Sequence, residues 1–191
     1  FFFKQKTAYE IVDCDWSSDV CSSDLPTACR EKLREAIDVI FDADETSIIS
    51  FIETFRSQFP DLPISDIAFP RGLNALVKWH DKKTLYASGT PIHVRGAILY
   101  NHLLSKHEIN AKYPVIQTGE KLKYIYLKEP NHIQSNIISF PASGIPEEFD
   151  LNGYIDYDTQ FNKSFLEPLK IILDAIGWKT EKTSSLEDFF S

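Results

Sequence analysis

The stretch KLKYIYLK, residues 121–128, alternates lysine with apolar or aromatic residues and is the clearest strand signal in the chain. A period of two is the pattern of a β-strand with one buried and one exposed face. The stretch NIISFP, residues 136–141, has a similar length, and the turn-forming sequence EPNH precedes it. The two stretches therefore predict an antiparallel hairpin, which commits this part of the chain to a small sheet.

Residues 26–60 have the apolar spacing of two helices instead. Thr27 can cap the first helix, and residues 44–46 can cap the second. Pro60 and Pro63 end the second helix. Because a short acidic turn joins the two, we expect an antiparallel helical hairpin. The buried stripe of the first helix is Leu33, Ala36, Ile37 and Ile40, and that of the second is Ile48, Phe51, Ile52, Phe55 and Phe59.

Two further helices are predicted later in the chain. One covers residues 94–106, and the last begins near Asp158 or Thr159. Pro168 lies inside the last helix and should kink it or split it in two. Gly177 is placed where a helix would end on a left-handed residue.

Prolines and glycines interrupt the chain between residues 63 and 91, so this region is predicted to be irregular, with one turn of helix at residues 74–79. No internal repeat is visible. The sum of these elements is an α+β fold that is mostly helical and has a small antiparallel sheet.

The first 25 residues have a different character. KQKTAYE and DWSSDVCSSDL resemble, in one reading frame and in the right order, the translation of a sequencing-library adapter. We interpret residues 1–25 as an assembly artefact with no native fold, and leave them out of the fold prediction. A Ser/Asp-rich leader is the alternative; a signal peptide fits poorly because the apolar residues are scattered. Without this segment one cysteine remains, Cys29, which is typical of a reducing compartment.

Charge and length limit the classes of function. The 191 residues suit one domain, or one domain with appendages, and carry a formal net charge of -8. No apolar run approaches the roughly 18 residues that span a bilayer. Without its first 25 residues the chain has 18 basic and 23 acidic residues. Any contact with nucleic acid must therefore be local rather than the result of a global basic field.

The histidines are the first candidates for a metal site. His102 and His107 are five positions apart, which does not fit the i, i+4 pair of a helical zinc site, and His93 has no nearby cysteine or aspartate to complete a ligand shell. We therefore expect no metal site. A histidine-dependent metalloenzyme is the weakest of the hypotheses that we consider.

No nucleophile elbow, phosphate-binding glycine loop or histidine–serine–acid constellation is present. The acidic pairs Glu147/Glu148 and Asp156/Asp158 flank apolar residues and are predicted to be solvated faces or helix starts. A polymerase or nuclease gathers at least two carboxylates around divalent ions. The chain is thus predicted to have no catalytic residues of its own.

The stretch GTPIHVRGAILYNHLL, residues 89–104, has features of a phosphate-binding site. Arg95 can bind a phosphate bidentately, and His93 lies two residues before it. The missing side chain of Gly96 would let a polyanion approach the backbone. These residues predict a local contact with nucleic acid.

The predicted strand at residues 121–128 suggests a second group of contacts. Lys121 and Lys123 share one face, Lys128 is a further candidate for that face, and Tyr124 and Tyr126 lie on or beside the other. Interleaved lysine and tyrosine suit the sugar–phosphate backbone, whereas base reading needs Arg, Asn or Gln aimed into a groove. A solubilising charged face on an amphipathic strand is the alternative.

Six segments resemble, in this order, the C-terminal end of the family B replicative DNA polymerases of tailed bacteriophages: DIAFPRG, GTPIHVRGAILYNHLL, GEKLKYIYLK, NIISFP, YIDYDTQFNKSFLEPLK and SLEDFF. The resemblance covers essentially all of residues 26–191. It implies that residues 26–178 are a thumb domain, which closes over the newly made duplex and holds its phosphate backbone. It implies that residues 179–191 are a flexible tail that carries a sliding-clamp peptide.

The same resemblance implies what the chain lacks. In the family the exonuclease, palm and fingers precede the thumb, and the palm aspartates bind magnesium. The chain contains none of these parts, so we expect a truncated reading frame, without a cofactor of its own and inactive alone as a nucleotidyltransferase. The family acts in the cytoplasm of the infected bacterial host. The alternative is a free-standing clamp-binding accessory protein of phage replication without polymerase activity.

The resemblance also implies site residues. Arg95 matches the arginine of the family's histidine-x-arginine-glycine stretch, Lys121 the lysine after a glycine-glutamate turn, and Lys163 a lysine of the C-terminal helix. Some relatives have further lysines where this sequence has Gly89, Asn136 and Glu167. The predicted DNA-binding set is His93, Arg95, Lys121, Lys123 and Lys163.

The end of the chain has the spacing of a docking peptide. Leu186, Phe189 and Phe190 form L-x-x-F-F, which resembles the sliding-clamp peptide of replication proteins. One helical turn would place the leucine and an aromatic ring on the same side for an apolar pocket. Thr183 stands where the fuller motif prefers glutamine. The alternative is a C-terminus that folds back onto its own core.

Overall fold

A computed structural model describes residues 24–81 and 84–181 of the chain. These residues form an α+β fold, which confirms the predicted class, and they divide into two compact units. The first unit contains residues 27–62 and 161–181, and the second contains residues 24–26 and 63–160. Of the predicted artefact only Asp24 and Leu25 belong to the described residues.

The elements follow one another in this order: α1 (Thr27–Asp42), α2 (Glu45–Gln58), a 3-10 turn (Phe59–Asp61), α3 (Ile64–Ile67), β1 (Phe69–Gly72), α4 (Leu76–Trp79), β2 (His80–Asp81), β3 (Leu85–Tyr86), α5 (Ile92–Lys106), β4 (Lys121–Tyr126), β5 (Ile137–Phe140), two 3-10 turns (Glu147–Phe149 and Asn152–Tyr154), α6 (Tyr157–Phe161), a π-helical turn (Asn162–Leu166) and α7 (Glu167–Ala175). None of the helices in the described part of the chain is long and apolar enough to cross a membrane.

The first unit contains the two predicted helices α1 and α2, which pack against each other. Asp44 caps α2 as predicted, because its Oδ1 accepts a hydrogen bond from the Ser47 backbone N–H at 2.9 Å. The predicted stripes are confirmed except at Ile37 and Phe51, which are only half-buried. Phe55 and Phe59 continue the buried stripe of α2 into an aromatic cluster with Phe161 and Phe165, with ring centroids 4.8 to 5.6 Å apart.

The predicted split of the last helix is confirmed. Pro168 lies in the first turn of α7, and directly before it the chain forms a π-helical turn. Because proline has no N–H and its ring clashes with the carbonyl four residues earlier, the helix cannot pass through this point unchanged. The Glu167 backbone N–H instead donates to the Asn162 carbonyl, five residues back. Gly177 follows the helix in the left-handed region, with φ +75°, as predicted.

The second unit is built on a three-stranded antiparallel sheet in the order β1–β4–β5. The predicted hairpin of β4 and β5 is confirmed, with Tyr124 opposite Ser139. The register of β1 places Phe69 opposite Tyr124 and Arg71 opposite Leu122. The predicted helix at residues 94–106 is α5, and it packs on β5.

The region predicted to be irregular contains more regular structure than expected. The helical turn is present at Leu76–Trp79, but α3, β1 and the short β2–β3 pair were not predicted. Pro70 explains why β1 was not predicted from the sequence. A proline inside a short segment argues against a strand unless the strand lies at the edge of a sheet. β1 lies at that edge.

Candidate nucleic-acid interface

The start of α5 carries His93 and Arg95, the first two residues of the predicted DNA-binding set. The helix begins at Ile92, after Pro91, which has the fixed φ suited to a helix entrance. Ser139 of β5 donates a hydrogen bond from its Oγ to the His93 carbonyl oxygen at 2.7 Å. The sheet therefore fixes the first turn of the helix in the second unit.

Gly96 has a different role from the one predicted. A Cβ atom at this position would lie 2.5 Å from Ser139 Oγ and 2.7 Å from Ser139 N. Gly96 is also buried, so the expectation that a polyanion approaches its backbone is wrong. Its missing side chain lets α5 and β5 come into close contact, which is a packing requirement.

Arg95 lies between two partners from other elements. Its Nη2 donates to Asn136 Oδ1 at 2.6 Å, and its guanidinium carbon is 5.9 Å from the centroid of the Tyr86 ring. The Nε atom is buried and has no hydrogen-bond partner within the described residues. The contact with Asn136 uses one of the five donors of this guanidinium, and the buried Nε does not face solvent.

Arg71 is a neighbour of His93, although the sequence interpretation did not select it. The register of β1 and β4 puts Arg71 on the same face of the sheet as Tyr124 and Ser139, the face that contacts α5. Its guanidinium hydrogen-bonds the Tyr124 side chain and forms an ion pair with Asp24. The sequence signal that could have identified it is its position directly before Gly72, inside one of the six quoted segments.

Arg71 also acts electrostatically on His93. Burial, and then the positive charge of Arg71, lower the pKa of His93 below its ordinary value of 6.5. His93 is therefore mainly neutral at pH 7 in the absence of an anion. A phosphate placed against the two residues would act in the opposite direction and favour the protonated ring.

Lys121 and Lys123 lie on the opposite face of β4. Their register partners are Gly72 and Pro70 in β1, so their side chains alternate with that of Tyr124. Lys121 is exposed. Lys123 donates from its Nζ to the Ser65 carbonyl oxygen at 2.7 Å and lines a cavity of about 200 Å³ with Ile64 and Phe140. The structure therefore brings the two lysines together, but on the other side of the sheet from His93 and Arg71.

The tyrosines of β4 differ from the expectation. Tyr124 is buried and stacks on Phe69, with ring centroids 5.1 Å apart, and its burial raises its pKa to about 12. A sugar–phosphate backbone cannot reach such a ring, so the expected contact by Tyr124 is wrong. Tyr126 is half-buried, and Lys128 lies beyond the end of the strand.

The remaining members of the predicted sites lie elsewhere. Lys163 belongs to the first unit, in the π-helical turn, and its Nζ is 3.6 Å from Glu167 Oε1 with both side chains exposed. An exposed ion pair of this kind contributes only about 0 to 1 kcal/mol to stability. The contact therefore does little to hold the Lys163 side chain in one conformation. The predicted clamp-binding residues lie outside the described residues; they are Thr183, Leu186, Phe189 and Phe190.

Metal binding was not expected from the sequence. Within residues 24–81 and 84–181, no three His, Cys, Asp or Glu side chains are grouped so that they could hold a metal ion. These residues therefore offer no set of ligands for the magnesium that the family resemblance implies.

Comparison with known proteins identifies two relatives, while no protein-family model matches the chain. The chain is 29% identical over 171 residues to the DNA-directed DNA polymerase of Enterobacteria phage T4. It is 28% identical over 171 residues to the DNA-directed DNA polymerase of Escherichia phage RB69. Each alignment covers 88% of this chain and 18% of the relative, so the chain spans less than a fifth of the length of these polymerases.

A solved structure also resembles the chain. It is the family B DNA polymerase of the hyperthermophilic archaeon Pyrobaculum calidifontis, with a TM-score of 0.49 and 12% identity over 82% of this chain and 18% of that one. The two phage alignments alone confirm the resemblance predicted from the sequence, because they cover nearly the whole chain. Over most of its length the chain is thus similar to one segment of the DNA-directed DNA polymerases of phages T4 and RB69.

Proposed function

We propose that this chain is the thumb segment of a phage DNA polymerase, which acts in the infected host cell and holds the primer–template duplex by its phosphate backbone. The observation that carries the proposal is the pair formed by Arg71 of β1 and His93 in the first turn of α5, the helix that also carries Arg95, in a chain similar to phage DNA polymerases. Asn136 holds the guanidinium of Arg95, and an anion bound beside His93 would favour the protonated form of its ring.

The chemistry of these side chains suits phosphate rather than bases. A guanidinium binds two phosphate oxygens at once, whereas an ammonium acts as a point charge. Lys121 and Lys123, on the opposite face of the sheet, would serve a different stretch of backbone, and Lys163 of the first unit a further one. Contacts of this type fix the position of the duplex and carry no sequence information.

The catalytic metal ions of the proposed parent enzyme would bind elsewhere. The described residues have no carboxylate cluster that fits magnesium, so we assign nucleotidyl transfer to a palm that belongs to the parent protein and not to this chain. The residues of this chain hold and orient the duplex; they do not take part in the chemical step.

The tail is proposed to tether this segment to the sliding clamp. Leu186, Phe189 and Phe190 have the apolar spacing of a docking peptide, and Glu187 and Asp188 lie between them in the sequence. A second attachment point raises the effective concentration of a duplex-binding surface that acts by charge alone.

The test is equilibrium binding of the full chain to fluorescein-labelled duplexes of two unrelated sequences, between about 50 and 200 mM NaCl. We expect equal affinity for both sequences and a linear decrease of log affinity with log salt. Arg95→Ala should weaken both duplexes equally and reduce the slope by about 0.9. Lys106→Ala, at the opposite end of α5 and about 16 Å along the helix axis, is the matched control. A salt-independent affinity, or one that differs between the sequences, would contradict the proposal.

A further inference from the structure

Asn136 is the residue that contacts Arg95 directly, and it is well anchored. It lies immediately before β5, and its backbone carbonyl oxygen accepts a hydrogen bond from the Leu127 N–H at 2.9 Å. Its side chain is half-buried and accepts from Arg95 Nη2 at 2.6 Å, across 41 positions of sequence. An acceptor held at the edge of a sheet thus fixes the end of a long side chain that comes from a helix.

The type of acceptor matters as much as the contact. A carboxamide oxygen is neutral, so it orients the guanidinium without cancelling its charge. Two other cations of the proposed DNA-binding surfaces are different, because each contacts an acidic group: Arg71 pairs with Asp24, and Lys163 with Glu167. Arg95 therefore keeps its full charge while one of its five donors is fixed.

The Tyr86 ring completes the arrangement from the other side. Its centroid is 5.9 Å from the Arg95 guanidinium carbon, within the range of a cation–π contact. Asn136 and Tyr86 together leave the buried Nε without a protein partner in the described part of the chain. These two contacts hold the guanidinium in one orientation.

We infer that Asn136 is a positioning residue, which acts through Arg95 by holding its guanidinium ready to bind a backbone phosphate of the duplex. The inference rests on the proposed function, since it needs Arg95 to bind DNA. Long side chains lose much rotational freedom when they bind, and a side chain ordered in advance avoids that loss.

The experiment uses the full chain, a fluorescein-labelled duplex of about 20 base pairs and a salt titration, with thermal unfolding measured in parallel. Asn136→Ala removes the acceptor, so we expect about three- to tenfold weaker binding. Asn136→Asp keeps an acceptor of nearly the same shape but cancels the charge of Arg95. We expect Asn136→Asp to be at least as stable as the parent chain, yet to bind more weakly, with a salt slope close to that of Arg95→Ala.

Two controls separate positioning from general effects. Asn110→Asp adds the same charge on an exposed loop of the second unit and should leave binding within about twofold, because an exposed charge is screened by salt. In an Arg95→Ala background, neither change at Asn136 should weaken binding further, because the residue through which it acts has gone.

The outcomes distinguish the inference from the proposed function. If Arg95→Ala weakens binding and both Asn136 variants bind like the parent chain, the inference is overturned and the proposed function stands. If Asn136→Asp is as harmful without Arg95 as with it, positioning is also overturned, because the effect is then one of net charge. If Arg95→Ala changes neither affinity nor slope, the proposed role of Arg95 itself fails.

Discussion

Gly96 of α5 and Ser139 of β5 are so close that a Cβ atom on the glycine would lie 2.5 Å from the serine Oγ. The same Oγ donates to the His93 carbonyl oxygen at 2.7 Å. One contact between helix and strand therefore sets both the packing of α5 and the position of its first turn relative to the sheet. His93 and Arg95 lie in that turn.

The first prediction follows from this contact. Gly96→Ala should lower the free energy of unfolding by about 1 to 3 kcal/mol, because the new methyl group meets backbone atoms of Ser139 and Ile138 that cannot move aside. Urea unfolding followed by circular dichroism measures this change. Gly72→Ala is the matched control, since its Cβ would meet nothing within 4 Å. Equal stability of the two variants would argue against tight packing at Gly96.

A second prediction concerns pH. The pKa of His93 is lowered first by burial and then by Arg71, so the unfolded chain binds the proton more readily than the folded chain. Stability should therefore fall as pH decreases through the ordinary value of 6.5, until the folded-state pKa is reached. His93→Gln should flatten this part of the pH profile. Proton NMR should also show the His93 pKa rising when duplex is added; an unchanged value would contradict phosphate contact.

Asp24 provides the third prediction. Its carboxylate pairs with Arg71, although it belongs to the segment that we interpret as an artefact. Asp24→Asn should release Arg71 for phosphate, giving tighter duplex binding and a salt slope that is steeper by up to about 0.9. Stability should change by no more than about 1 kcal/mol, because both side chains are partly exposed. Asp42→Asn, which removes an exposed charge from the first unit, should change affinity less; an equal effect would mean that net charge alone is responsible.

The fourth prediction concerns the C-terminal peptide. Leu186→Ala combined with Phe190→Ala should abolish binding to the sliding clamp of a related tailed phage, measured by surface plasmon resonance, and leave duplex binding unchanged. Thr183→Gln should strengthen clamp binding, because it restores the polar anchor that the fuller motif prefers. Ser184→Ala, between the anchors, is the control. Clamp binding that survives the double substitution would show that the tail has another role.

Long periodic segments of the sequence were sufficient to predict the main helices and the β4–β5 hairpin. The apolar stripe of α2 and its Asp44 cap carry their own local signals, and so does the break at Pro168. β1 has no such signal: four residues that include Pro70 form a strand only because β4 offers an edge to pair with. Tertiary pairing of this kind is invisible in local sequence.

The candidate site was predicted less completely than the fold. Arg95 and His93 were selected as candidates because a phosphate-binding side chain beside a glycine is a recognisable pattern, and their role in DNA binding stays a prediction. Arg71 was missed because its neighbours His93 and Tyr124 come from other elements, and only the register of β1 brings them together. Gly96 was misread for the same reason, since its close partner Ser139 is 43 positions away in sequence.

The π-helical turn at Asn162–Leu166 affects how this chain must be aligned with its relatives. A wider turn holds one residue more than an α-helical turn, so every side chain after Leu166 points about 100° away from the direction that an unbroken helix would give it. A relative that lacks this extra residue would match the buried face of α7 only after a one-residue gap. An ungapped alignment would pair core leucines with solvent-facing residues. It would also hide which residues of the relative are equivalent to those near Lys163 and Glu167.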